Sequence, residues 1–267
     1  MKRFLTFLTL AGLLLGCATS TQKNVTGKSR SQLLIVPASQ VQTMSLQYYQ
    51  QEKSEASNKG RLITSGPKYD RVARVLHRMI PQVAVFRQDA AAWQWELALI
   101  DDPTINAHVL AGGKVTFYTG LIDTLKLTDD EIAAVMGHEM SHALREHTRE
   151  KMSQDAVGQL ALNVGGAALG LGEGAMQLAG LAKQLGLDLP FSRGMESEAD
   201  VYGLELAARS GYDPRAAISL WDKMDAQGGG APPQFLSTHP APKNRKAELE
   251  KLMPKVMPLY RAAGGQG

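Results

Sequence analysis

Apolar residues recur at helical spacing through residues 37–58, which predicts an amphipathic helix, and the chain then turns at Gly60 and Gly66-Pro67. Pro67 suits the first turn of a second helix, running to about Ile80. Trp93 to Ile100 alternates in part and is rich in aromatic and aliphatic residues, which predicts a strand. A second strand is expected over Lys114 to Thr119, bracketed by Gly112-Gly113 and Gly120. Thr128-Asp129-Asp130-Glu131 has the form of a capping box and opens a long helix through about Met152. A further helix is expected over roughly 190–209, stopping at Gly211. Asp213-Pro214 supplies an N-cap and a first-turn proline for another helix, to about Asp225. Gly228-Gly229-Gly230 and Pro232-Pro233 mark a mobile loop, and a short charged helix follows from about Pro242. No internal repeat and no second core emerges, so the expected fold is one α+β domain, mostly helical.

The apolar run at the start has another meaning. Met1-Lys2-Arg3 is a short positive region before the apolar Phe4 to Leu15, the pattern of a signal peptide over residues 1–16. Leu14-Leu15-Gly16-Cys17 resembles the bacterial lipobox, in which Cys17 is lipidated and anchors the chain to a membrane. An ordinary signal peptide with an incidental cysteine is the alternative. Ala18 and Thr19 place no acidic residue after Cys17, which by the same resemblance implies the periplasmic face of the outer membrane of a Gram-negative bacterium. Residues 17–31, rich in Ser, Thr, Lys, Asn and Gly, read as a lipidated flexible tether. The Gly/Ala-rich stretch 158–186 is interrupted by Asn163, Glu173, Gln177 and Lys183. It is therefore expected to form small-residue helices or a lid rather than a transmembrane span.

Composition narrows the chemistry by exclusion. The chain of 267 residues is 44% apolar with a formal net charge of +3, which excludes wholesale disorder. Its single cysteine rules out an intrachain disulfide and any cysteine-ligated zinc site. No Lys/Arg cluster is dense enough for a nucleic-acid patch, so no nucleic-acid partner is expected.

The decisive string is His138-Glu139-Met140-Ser141-His142, an H-E-x-x-H on a helix. Residues four apart on a helix differ by about 40° in direction, so the two imidazoles project side by side and can share one metal. A catalytic zinc needs a third protein ligand. The extended pattern H-E-x-x-H-x-x-G-x-x-H fails here, with Arg145 and Thr148 in place of the glycine and the third histidine. His147 is one residue off register and reads as a packed histidine on the apolar side. On the helix around 195–209, Glu196 and Asp200 intrude one turn apart on an otherwise apolar or small arc, whereas Glu198 and Glu205 share a polar stripe with Arg209. Buried carboxylates are costly unless paired or bound to metal. Glu196 is thus the candidate ligand, and Asp200 the candidate acceptor for the free N–H of a metal-bound histidine. Ordinary ion-paired helix acids are the alternative.

Several motifs now combine: Asn106-Ala107, Gly112-Gly113, Tyr118-Thr119-Gly120-Leu121, the H-E-x-x-H, Glu196 to Asp200 as E-x-x-A-D, and His239-Pro240. From about Asn106 to Arg245 the sequence resembles the M48 family of zinc metallopeptidases, in particular the bacterial periplasmic lipoproteins of the LoiP and BepA type. The resemblance implies a zincin-like (gluzincin) metallopeptidase domain over 32–267, with a small β-sheet beside the active-site helix. It implies one zinc ion per chain held by His138, His142 and Glu196, with Glu139 as the catalytic base. It assigns Val115, Thr116, Phe117 and Tyr118 to a sheet-edge strand that pairs with substrate. His239 and Arg245 match a distal pair that faces the metal site and stabilises the transition state. In BepA-like members the histidine also occupies the open zinc position and silences the enzyme. His108 and Val109 depart from the residues usual in relatives, and no tetratricopeptide-like segment follows residue 253, which favours the shorter LoiP-like type.

The implied function is a zinc-dependent endopeptidase acting on misfolded or misassembled envelope proteins, in periplasmic and outer-membrane quality control. The implied partners are those unfolded substrates, the membrane through Cys17, and the outer-membrane assembly machinery or other proteases. The rival reading is a latent, plugged metallopeptidase serving as a chaperone-like or scaffold lipoprotein. A purely structural zinc site is disfavoured, because Glu139 would have no purpose in it.

Overall fold

Helix α1 (Ala38–Asn58) turns Val41, Met44, Ser45 and Tyr49 inward, the spacing that its apolar pattern requires. This structure is a computed structural model, and it describes residues 17–27, 29–167, 185, 190–227, 233–240 and 244–266. A two-residue strand β3 (Leu62–Ile63) leads to α2 (Pro67–Met79), which has Pro67 in its first turn and buries Val72, Val75, Leu76 and Met79. Two 3₁₀ turns follow, Ile80–Val85 and Gln88–Ala92. The next strand, β4 (Glu96–Ile100), begins three residues later than the aromatic pattern suggests. Trp93 and Trp95 stack on each other at 5.6 Å instead, and the Trp95 indole N–H donates to the Ala90 carbonyl. Strands β5 (Ala107–Leu110) and β6 (Lys114–Tyr118) complete the sheet, joined by a turn in which Gly112 and Gly113 both have φ +81°.

The four-stranded sheet runs β3-β4-β6-β5, with β4 parallel to β6 and the outer pairs antiparallel. This corrects the expectation for Val115–Tyr118. Strand β6 is interior, paired with β4 from Glu96↔Lys114 to Ile100↔Tyr118 and with β5 from Ala107↔Phe117 to Leu110↔Lys114. Its backbone groups are taken on both sides, and Val115, Thr116 and Phe117 are fully buried. The edge on that side is β5, a strand too short and too polar at His108 to stand out in the sequence.

Short helix α3 (Thr119–Thr124) leads into α4 (Asp129–Leu144). The Thr128 hydroxyl accepts the Glu131 N–H at 3.2 Å, and the Glu131 carboxylate accepts the Thr128 N–H at 2.8 Å, closing the capping box. The helix does not continue to Met152. It ends at Leu144, Glu146 adopts φ +52°, and a new helix α5 (His147–Ala167) begins. A left-handed backbone at a non-glycine residue needs firm support. Fully buried Arg145 gives it by donating to the Thr21 hydroxyl, the Arg30 carbonyl and Glu198.

The C-terminal half adds α6 (Arg193–Arg209), capped by Ser192, and α7 (Ala216–Ala226), which starts later than Asp213-Pro214 suggests. Asp213 instead accepts the Arg215 N–H in the preceding turn. A short helix α8 (Gln234–Thr238), absent from the sequence reading, carries His239 at its end. The last helix, α9 (Arg245–Ala262), is 18 residues long and extends well beyond the short segment expected. The core gathers Val72, Leu76, Phe86, Phe117, Ile132, Met136, Met140, Tyr202, Leu206 and Trp221 between sheet and helices.

The described residues of 17–31 do not form a free tether. Strand β1 (Cys17–Ala18) pairs antiparallel with β2 (Gln32–Leu33), and the segment between them lies against the domain. Buried Gln32 donates its amide to the Arg145 carbonyl and to Glu150, the Val25 N–H donates to Glu205, and the Gln22 N–H donates to the Phe86 carbonyl. Of the polar residues that suggested solvent, Ser20 donates to Gln32 and buried Thr21 accepts from Arg145. Glu205 is itself buried, contrary to its placement on a polar stripe. Residues 1–16, expected to be a signal peptide, lie outside the described residues, as does most of the Gly/Ala-rich stretch beyond Ala167 and the loop 228–232. Among the described residues no helix is long and apolar enough to cross a membrane.

Candidate metal centre

Two glycines bring the site together. Helices α4 and α6 cross at Gly137 and Gly203, where a Cβ on Gly137 would lie 2.7 Å from the Gly203 carbonyl oxygen. Only hydrogen side chains permit that approach. The crossing sets Glu196, seven residues before Gly203, against the two histidines of the H-E-x-x-H.

The donor atoms converge. The Nε2 atoms of His138 and His142 are 3.2 Å apart, and the Glu196 carboxylate oxygens lie 3.4 Å from each of them. His239 joins this group, its Nδ1 3.1 Å from Glu196 and 3.3 Å from His138 Nε2. One donor atom from each of the four residues falls within 4.8 Å of all the others, and all four residues are buried. Two or three imidazoles with one carboxylate is a donor set suited to zinc, and a buried carboxylate ringed by imidazole nitrogens is costly to maintain without a cation. The residues therefore fit the metal. Burial pushes the Glu196 carboxyl up, but the three histidines outweigh it and hold Glu196 far below the usual carboxylate range.

Glu139 stands beside this cluster. Its Oε1 makes no hydrogen bond among the described residues, and His239 Nε2 is 3.4 Å away. Burial raises its pKa, the direction that suits a proton acceptor working near neutrality.

The histidines are oriented from behind. Asp200 lies 3.1 Å from His138 Nδ1, leaving Nε2 to face the cluster. Arg245 does not face the site as a free cation. Its Nε donates to Asp200 and its Nη2 to Glu196, both at 2.6 Å, while its guanidinium lies 4.1 Å over the Trp221 ring. Its Nη1 has no hydrogen-bond partner among the described residues. Arg245, the first residue of α9, thus clamps two carboxylates of α6, against which α9 packs.

Val115, Thr116 and Phe117 are paired on both sides within the sheet, and Tyr118 pairs with Ile100 and donates its N–H to the Asn106 carbonyl, so none offers a free backbone edge to an incoming chain. His108 on β5 lies 3.3 Å from that same Glu52. The sequence reading missed His147, Glu198 and Arg145 as parts of the site. His147 Nδ1 lies 3.0 Å from His142 Nδ1, and its Nε2 lies 3.0 Å from Glu198. The spacing from His142 to His147 is visible in the sequence, but its consequence depends on the helix break at Glu146.

Comparison with known proteins agrees with this geometry. Residues 67–253 match Peptidase family M48. The chain is 39% identical over 187 residues to the mitochondrial metalloendopeptidase OMA1 of Schizosaccharomyces pombe, covering 69% of this chain and 53% of that protein. It is 30% identical over 242 residues to the mitochondrial metalloendopeptidase OMA1 of Homo sapiens, covering 86% and 45%. To the beta-barrel assembly-enhancing protease of Escherichia coli (strain K12) it is 29% identical over 175 residues, covering 60% and 35%. The chain thus spans between a third and somewhat over half of the length of these relatives. With most of its length matched and His138, His142, Glu196 and His239 assembled in one buried cluster, the chain belongs to peptidase family M48.

Proposed function

We propose that this chain is a zinc-dependent endopeptidase that hydrolyses peptide bonds in unfolded or misassembled envelope proteins. The observation that carries the reading is the placement of Glu139, buried and with a carboxylate oxygen that makes no hydrogen bond among the described residues, beside the cluster of His138, His142, Glu196 and His239. Zinc held by these three residues would supply Lewis-acid polarisation of a water molecule and of the scissile carbonyl. Glu139 takes the proton from the attacking water and passes it to the departing amine. Asp200 keeps His138 in the tautomer that presents Nε2, and Arg245 fixes the Glu196 carboxylate. The outer edge of β5, Ala107–Leu110, is free of strand partners among the described residues and suits an extended substrate that pairs through its backbone. Such pairing reads side chains weakly, which fits a broad set of unfolded substrates.

His239 gives this enzyme a resting state. Its Nδ1 lies among the donor atoms, so His239 would be a fourth residue able to hold the metal and would compete with a substrate carbonyl for that place. Once displaced, its ring is a donor for the developing oxyanion. The same contact favours the second reading, a latent scaffold or chaperone-like protein in which His239 stays in place.

The envelope location rests on the signal-like residues 1–16, the lipobox-like Cys17 and the likeness to the beta-barrel assembly-enhancing protease of Escherichia coli. Since Cys17–Ala18 is paired with Gln32–Leu33, a lipid on Cys17 would hold the domain close to the periplasmic face of the outer membrane. Incorporation of labelled palmitate, lost in Cys17→Ser, tests the anchor. The activity is tested by cleavage of a permanently unfolded protein. Chelation should abolish cleavage and one equivalent of zinc restore it; cleavage indifferent to chelation would refute the proposal.

A further inference from the structure

We infer that His147 and Glu198 are positioning residues that hold His142 in the ring orientation and tautomer needed to bind metal; this rests on the metallopeptidase reading. His142 turns Nε2 toward His138 and Glu196, so its Nδ1 faces away from the cluster and needs a partner of its own. That partner is His147 Nδ1, at 3.0 Å, with the two rings steeply inclined at 74°. Only one of two facing ring nitrogens carries the proton. With the Nε2 lone pair of His142 given to metal, its proton sits on Nδ1 and His147 Nδ1 accepts it. The proton of His147 is then on Nε2, which donates to Glu198 Oε2 at 3.0 Å. This single assignment satisfies every nitrogen in the chain. Glu198 is fixed in turn by the guanidinium groups of Arg145 and of Arg30. Phe191 packs against the face of His142 with ring centroids 4.1 Å apart, so the ring is held both in its plane and across it.

The helix break makes this contact. In a continuous helix His147 would point about 140° away from His142. The left-handed turn at Glu146 swings it back instead. A packed core histidine would need no such strained turn and no carboxylate hydrogen-bonded behind it. The two histidines of the H-E-x-x-H are thus oriented differently, His138 by Asp200 directly and His142 by Glu198 through an intervening imidazole. Because Arg30 belongs to the segment between β1 and β2, the amino-terminal segment reaches the support of the metal site.

The test is zinc affinity of the full chain, measured by competition with a chromophoric chelator, with the visible spectrum of the cobalt form as a second readout. His147→Leu should weaken zinc binding by about 10- to 100-fold, and Glu198→Leu similarly. His147→Asn, which keeps an acceptor on the side of Nδ1, should recover most of the affinity and the wild-type cobalt spectrum. Far-ultraviolet circular dichroism confines the comparison to folded variants. Wild-type affinity and spectrum in folded His147→Leu would overturn this inference alone. Equal loss in His147→Leu and His147→Asn would also overturn it, since volume rather than an acceptor would then matter. If wild-type chain binds no zinc, the metallopeptidase reading itself falls.

Discussion

Gly203 lies so close beneath His138 that a Cβ on it would stand 2.6 Å from the His138 backbone nitrogen. Helix crossing and metal site are therefore one structural problem. The neighbour on each side is backbone, which cannot rotate away as a side chain can. Gly203→Ala is expected to lower stability by about 1–3 kcal/mol, as overpacking does, and to reduce bound zinc as well. Urea unfolding and metal analysis check both effects. A variant with unchanged midpoint and full metal would show that the two helices have slack.

Glu196 and Glu198 are two residues apart but stand in different shells of the site. Glu196 faces the histidine Nε2 atoms directly, whereas Glu198 reaches His142 only through His147. Glu196→Ala should lose nearly all bound zinc, and Glu198→Ala should retain metal at the micromolar concentrations of a purified sample. Equal metal content in the two variants would refute the choice of Glu196 as ligand.

His239→Ala separates a plugged enzyme from one that uses His239 in the reaction. With Nδ1 3.1 Å from Glu196, the side chain competes for the open position. Removing a competing contact of about 1.4 kcal/mol corresponds to about a tenfold gain in initial cleavage rate. A rate unchanged or reduced would remove the support for the plug.

The acid limb of stability should depend on Glu131. Burial pushes its carboxyl up, and the Lys223 ammonium, the Thr128 N–H and the Ser219 hydroxyl outweigh it, leaving Glu131 below its ordinary range. A carboxyl whose folded pKa is depressed contributes stability that is full above its unfolded value, about 4.3, and is lost as pH falls through the folded one. Glu131→Gln should therefore be less stable than wild type at pH 7, with the gap narrowing in acid. Urea midpoints at pH 7 and pH 3 measure it, and a gap independent of pH would contradict the assignment.

Local signals in the sequence translated well into structure. Pro67, the Thr128–Glu131 box and the stop at Gly211 each act within one turn, and the structure shows them at element ends. Glu196 and Asp200 stood out because helical periodicity alone sets acids against small neighbours, and both lie beside His138. The rest depended on distant partners. The family resemblance assigned the sheet edge to the strand before the active-site helix, and β5, the strand that forms that edge, has only four residues and little pattern to mark it. The break at Glu146 leaves no glycine or proline as a marker; it is held by Arg145 reaching Thr21 and Arg30, more than a hundred residues away in sequence. The segment 17–31 misled for the same reason, since a polar side chain that satisfies a buried group has the same composition as one that faces water.

The central claim is that Glu139 is the base of a zinc-dependent peptidase. Glu139→Gln changes one oxygen for an amide and leaves the donor atoms of His138, His142 and Glu196 untouched. Cleavage of an unfolded protein by this variant, measured beside its zinc content, is the most direct test. Full zinc with cleavage reduced by at least about 10²-fold is the expected result. Undiminished proteolysis would contradict the account.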